Sequence, residues 1–136
     1  MGTEELIQQL IGLIRKESAV INLYDLVLDA VVDFELKDKL FLFQNDHKRH
    51  LEIILDLLNN IDVNNVDRMD LMISNGKDEE FRSQSQALGE LAVKEKELNR
   101  LYKDILEEDV DSKSAEILDD NLEDEQQHIR FLEQFS

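Results

Sequence analysis

The sequence predicts an all-α fold, an antiparallel four-helix bundle with one long crossover between its second and third helices. Three observations lead there. The chain has no proline and only four glycines in 136 residues, with 42% hydrophobic and 35% charged residues, and proline and glycine are the residues that punctuate sheets and loops. Apolar residues recur in steps of three and four, the spacing of one helix face, along most of the chain. The stretches that break this period are short, except one in the middle. A single domain covering residues 1–136 is expected at this length.

The first helix is expected to take Thr3 as its N-cap, since Glu4 and Glu5 suit the positive end of the helix dipole, and to run to about Val32. Its stripe is Leu6, Leu10, Leu13, Val20, Tyr24, Val27 and Val31, with Glu17 in the gap. The second helix begins after Asp33 and continues to about Leu58, on Leu36, Leu40, Phe43, Ile54 and Leu57, with His47 and His50 in the gaps. From Asn59 to Lys77 the period weakens and turn formers gather, as in Asn59-Asn60, Asn64-Asn65 and Ser74-Asn75-Gly76. A long connection is expected there, with a short helical turn from Val66 to Ile73 lying over the bundle. The third helix spans about Asp78 to Glu108, on Phe81, Leu88, Leu91, Leu98, Tyr102 and Ile105, and Glu95 interrupts it. The fourth opens near Asp111 or Ser112 and runs to the carboxyl terminus, with Leu118, Leu122, Leu132 and Phe135 inward and Glu125 and His128 as interruptions.

Helices of about 25 residues are roughly 37 Å long, and the short links at 32–34 and 109–112 can join only antiparallel neighbours. About nineteen extended residues in the middle connection reach up to roughly 60 Å. That is enough to run the length of the bundle and start the third helix at its opposite end.

A formal charge of -17, from 32 acidic and 15 basic residues, argues against nucleic acid as a partner, because that affinity rests on neutralising phosphates with Lys and Arg. With no cysteine in the chain, disulfides, zinc ribbons and thiolate iron–sulfur sites are excluded. No apolar run approaches a membrane span, and Met1-Gly2-Thr3-Glu4-Glu5 lacks the basic region of a secretory signal. No membrane partner is expected, and the expected compartment is the cytoplasm. There is no glycine-rich phosphate loop and no Gly-x-Ser-x-Gly elbow.

The halves of the chain repeat at a constant offset of 78 positions: Glu17 falls on Glu95, Tyr24 on Tyr102, Asp46 on Asp124, His47 on Glu125 and His50 on His128. Leu40 falls on Leu118, and Leu51, Ile53, Ile54 and Leu57 fall on Ile129, Phe131, Leu132 and Phe135. Each half therefore reads as a helical hairpin built to one plan. Its polar members interrupt apolar stripes, and buried carboxylates without a counter-charge repel one another. Such a cluster needs either shared protons in a hydrogen-bonded network or a bound cation.

Glu125-Gln126-Gln127-His128 is a full Glu-x-x-His, and His47-Lys48-Arg49-His50 is an altered copy of it. With Glu17 and Glu95, these resemble the ferritin-like superfamily, which includes rubrerythrins and bacterioferritins. The plan of that superfamily takes one Glu from each of two helices and a Glu-x-x-His from each of the other two. The resemblance implies metal ligands at Glu17, His47, His50, Glu95, Glu125 and His128, with His47 standing where a bridging glutamate belongs. It implies two iron ions cycling between Fe2+ and Fe3+, and dioxygen or peroxide as the oxidant. Three carboxylates in place of four leave zinc or a single metal open, imidazole suiting zinc, iron and nickel alike. Asp46 is a candidate to reach in, its facing slightly off the stripe. Tyr24 and Tyr102 are candidates for a supporting layer, though packing with the hydroxyl bonded to a neighbouring helix is the commoner role. Glu90, Glu97 and the run Asp119, Asp120, Glu123, Asp124 read as solvated. A homodimer follows from the resemblance, and a metal-free or zinc-bound structural bundle is the alternative reading.

Overall fold

The computed structural model describes residues 2–61 and 81–135. The helical turn expected over Val66–Ile73 lies outside these residues. Among the described residues the fold is all-α, with four α-helices: α1 (Thr3–Ala30), α2 (Phe34–Ile61), α3 (Gln84–Leu106) and α4 (Ser112–Leu132). None of them is long and apolar enough to cross a membrane.

Local chemistry sets the helix ends, and several of them correct the sequence reading. Thr3 is the first helical residue of α1, not its cap. Gly2 takes the extended N-cap conformation without a side-chain bond, and Glu4 and Glu5 complement the dipole without it. α1 ends at Ala30, two residues before Val32, because the β-branched pair Val31-Val32 favours extended backbone, as Val31 adopts. Asp33 then starts α2, its carboxylate accepting from Leu36 N at 3.0 Å.

α3 opens at Gln84, later than the expected Asp78. The Ser83 hydroxyl accepts from Gln86 N at 3.1 Å while the Gln86 side chain accepts from Arg82 N at 2.7 Å. Ser83 caps the helix while Gln86 reaches back one residue past it, and together they leave Phe81 ahead of the helix, partly buried against the core. Asp111 caps α4 through Ser114 N at 3.0 Å. The chain leaves α4 at Leu132 through a 3-10 turn, Glu133–Phe135. That tighter winding takes the Phe135 ring off the inward stripe, leaving it 39% exposed where the sequence placed it inside.

α1 packs on α2 and on α3, α3 packs on α4, and α2 meets α4. One hydrophobic core joins all four helices, built from the stripe residues, with Leu10, Leu13, Tyr24, Val27, Leu40, Ile54, Leu91, Leu98, Tyr102, Ile105 and Leu118 sealed from solvent. A buried aliphatic side chain contributes about 1.5–3 kcal/mol. Such a core can carry a costly polar cluster at its centre.

Candidate metal centre

Each candidate ligand sits on a helix whose apolar neighbours are buried a turn above and below it, so burying the stripe buries the polar residue as well. Glu17 lies between Leu13 and Val20, Glu95 between Leu91 and Leu98, His47 and His50 between Phe43 and Ile54, and Glu125 and His128 between Leu122 and Leu132. Glu17, His47, His50, Glu95 and Glu125 are completely buried, and His128 nearly so. The structure brings all six together.

His47 stands at the middle. Its Nδ1 lies 2.7 Å from Glu17 Oε1 and 3.9 Å from Glu125 Oε2, and its Nε2 lies 2.8 Å from Glu95 Oε1. The Glu95 contact is an ion pair off the hydrogen-bond line, so Glu95 Oε1 has no hydrogen-bond donor, and neither does Glu125 Oε1. His50 Nδ1 reaches Glu125 Oε2 at 3.0 Å and Glu17 Oε2 at 3.4 Å. His128 Nδ1 reaches Glu95 Oε2 at 2.9 Å and His47 Nε2 at 3.2 Å.

The electrostatics of the bare cluster follow from this arrangement. Burial disfavours the His47 imidazolium, but the Glu95 and Glu17 carboxylates outweigh it and raise its pKa from 6.5 to about 10. Burial likewise pushes Glu95 up, and the facing His47 and His128 pull it down to about 2. Glu17 also ends below its ordinary value, because His47 and His50 overcome its burial. Glu125 goes the other way. Burial and the neighbouring charges of Glu17 and Glu95 raise it well above its ordinary value. The His47 ring, held in its charged form, therefore stands between the Glu17 and Glu95 carboxylates.

A supporting layer surrounds the six. The Tyr24 hydroxyl donates to Glu95 Oε2 at 2.7 Å and the Tyr102 hydroxyl to Glu17 Oε2 at 3.1 Å, each across α1 and α3. Burial and the carboxylates raise both phenol pKa values, which keeps these groups as neutral donors. Each hydroxyl bonds a neighbouring helix, as in the commoner packing role, and its partner there is a candidate ligand. Asp46 turns to α4 and not toward the centre: its Oδ2 lies 2.8 Å from His128 Nε2. Asp124, read from sequence as part of the wet face of α4, is only 33% exposed at its side chain and places Oδ2 2.9 Å from His50 Nε2. A carboxylate accepts only, so each Nε2 donates outward and Nδ1 is the nitrogen turned to the centre, the arrangement of carboxylate-supported metal ligands. Arg49 ties the outer pair together at 3.2 Å from Asp46 and 3.0 Å from Asp124.

Sequence reasoning also missed three buried amides. Asn121 donates to the Tyr102 hydroxyl at 3.3 Å, and Gln44 donates to Ile21 O and Asp25 Oδ1 at 3.0 and 2.7 Å. Asn99 is buried with its Nδ2 unpartnered. Glu97, by contrast, lies at the surface as expected, paired with Lys16 at 3.0 Å. Tyr24→Phe is expected to cost about 1–2 kcal/mol of unfolding free energy, because Glu95 loses a buried donor. Urea denaturation in chelator measures it, and an unchanged midpoint would mean that the hydroxyl only fills space.

Two sets of donor atoms are compact enough to hold a cation, each set lying within 4.8 Å: Glu17, His47, His50 and Glu125, and His47, Glu95 and His128. Carboxylate and imidazole together suit first-row divalent ions such as iron and zinc. The unpartnered, buried Glu125 Oε1 is the kind of group that such an ion satisfies. Comparison with protein-family models, with curated proteins and with solved structures finds no match for this chain.

Proposed function

We propose that the chain is a metal-binding protein of the ferritin-like plan, an antiparallel bundle that holds iron at the buried cluster and passes electrons from Fe(II) to dioxygen or peroxide. The observation that carries this reading is the pair of donor sets at the centre of the core, each with a His whose outer nitrogen is held by an aspartate. Cross-helix contacts support the topology. Glu17 meets His47 while Ile21 meets Gln44; Glu17 meets Tyr102 while Tyr24 meets Glu95; Tyr102 meets Asn121 while Glu95 meets His128. In each pair one number rises as the other falls. Neighbours running in opposite senses, with α2 and α3 alike, is what a long crossover produces.

Two ferrous ions, when bound, would supply two electrons, which with two protons reduce a peroxide to two waters. The chain's own residues do the rest. Glu17, Glu95 and Glu125 offset the positive charge, His50 and His128 present Nδ1, and the tyrosines hold the glutamates in place. Anaerobic ferrous titration followed by air is expected to give two bound equivalents and then a ferric charge-transfer band. Two equivalents without any band would leave the binding and end the redox reading.

A second reading has its own observation. The His47 charge between Glu17 and Glu95 already satisfies most of the cluster without metal, as a metal-free or zinc-bound structural bundle requires. Elemental analysis of untagged protein and melting with and without chelator separate the two. Absence of metal together with an unchanged melting temperature would favour the second.

A further inference from the structure

We propose that the buried cluster is two cation sites of unequal strength that share the His47 ring, with Nδ1 serving one and Nε2 the other, and that they fill in order. This rests on the metal-binding reading and deepens it.

The sharing follows from the geometry. His47 belongs to both donor sets, and its two ring nitrogens face different ones: Nδ1 is 2.7 Å from Glu17, and Nε2 is 2.8 Å from Glu95 and 3.2 Å from His128 Nδ1. The nitrogens of an imidazole diverge, so cations on both would lie on opposite sides of the ring. Their separation would exceed the roughly 3.5–4 Å of metal pairs clamped by oxygen ligands. His47 thus does more than remove a carboxylate; it changes what joins the two positions.

The inequality follows from the donors. The first set offers Glu17, Glu125, His50 and Nδ1 of His47, four groups with two carboxylates that balance a divalent ion and close a tetrahedral site. The second offers Glu95, His128 and Nε2 of His47, three groups with one carboxylate. A cation there must also displace the remaining ring proton of His47 to solvent, leaving the ring an imidazolate, and it keeps an open coordination position. The outer support does not offset this difference, because His50 and His128 are held equally, at 2.9 Å by Asp124 and at 2.8 Å by Asp46. The closed site therefore fills first, and the open position, where a small oxygen ligand such as water or peroxide can bind, belongs to the Glu95 and His128 side.

Cadmium-113 NMR of the full chain with nitrogen-15 labelled histidines tests this directly, using cadmium(II) alone as the probe. One cadmium resonance is expected through the first equivalent and a second only afterwards, with affinities at least about tenfold apart. Both resonances should couple to nitrogens of one ring, identified as His47 by its loss in His47→Gln. Glu125→Gln should weaken the first event, whereas Glu95→Gln should spare the first and remove the second. Two resonances that grow together, or His47 nitrogens coupled to one cadmium or none, would overturn the inference and leave the metal-binding reading standing. No cadmium bound by the parent chain would overturn both.

Discussion

His47→Glu is expected to destabilise the chain by about 3–5 kcal/mol in chelator, the scale on which one partner of a buried ion pair is lost, and to make it gain more from metal than the parent does. The substitution puts a carboxyl group where the His47 cation stood, between Glu17 and Glu95 and close to Glu125. Four buried carboxyl groups then face one another without the imidazolium, and they must take up protons or unfold. With divalent ions the sign reverses, because four carboxylates balance two of them, and a ligand at 1,000 times its Kd stabilises by about 4 kcal/mol. Urea unfolding with chelator and with ferrous or zinc ions measures both arms. Equal stability of variant and parent in chelator would mean that the His47 charge holds nothing together.

The second large effect is in pH. His47, raised from 6.5 to about 10 in the fold, contributes stability that is fully present below pH 6.5 and is lost as pH rises through 10. Glu125, raised well above its ordinary 4.5, acts in the same direction, its contribution fading as pH climbs from 4.5 toward its folded value. Glu95, depressed from 4.5 to about 2, has the opposite dependence: its contribution is present above 4.5 and lost as pH falls through 2. The metal-free chain should therefore be most stable in mildly acidic solution. Its melting temperature should fall between pH 6.5 and 10 by something on the order of 10 °C. Metal ligands must shed protons, so metal affinity should rise with pH and the loaded chain should hold its melting temperature across the same window. Calorimetric scans with chelator and with zinc compare the two, and parallel curves would remove the central imidazolium from the explanation.

Much of this centre is legible in the sequence because a helix has one buried face and that face has a period. Glu17, His47, His50, Glu95, Glu125 and His128 fill gaps in that period, and burying Leu13, Val20, Leu91 and Leu98 leaves them nowhere else to go. Helix ends are less legible, since a cap is a local competition. Ser83 and Gln86 settle the start of α3, while the apolar spacing through Phe81 continues past it. Least legible is what crosses between helices. Period assigns Tyr24 to a face but not to Glu95 on α3, and it cannot separate Asp124 from Asp119, Asp120 and Glu123. Asp124 sits at the margin of the buried face, one turn before His128, where a small rotation decides between water and His50. The 78-residue correspondence of Asp46 with Asp124 was the available signal.

That correspondence also gives the cluster two unlike flanks. Toward α1 and α3 it ends in the phenols of Tyr24 and Tyr102, wholly enclosed. Toward α2 and α4 it ends in Asp46 and Asp124, a third of whose side-chain surface meets solvent, bracketed by Arg49. Dissolved salt screens a charge only where water reaches it. Ionic strength should therefore loosen the aspartates' hold on the two outer ring nitrogens while leaving the phenol side untouched.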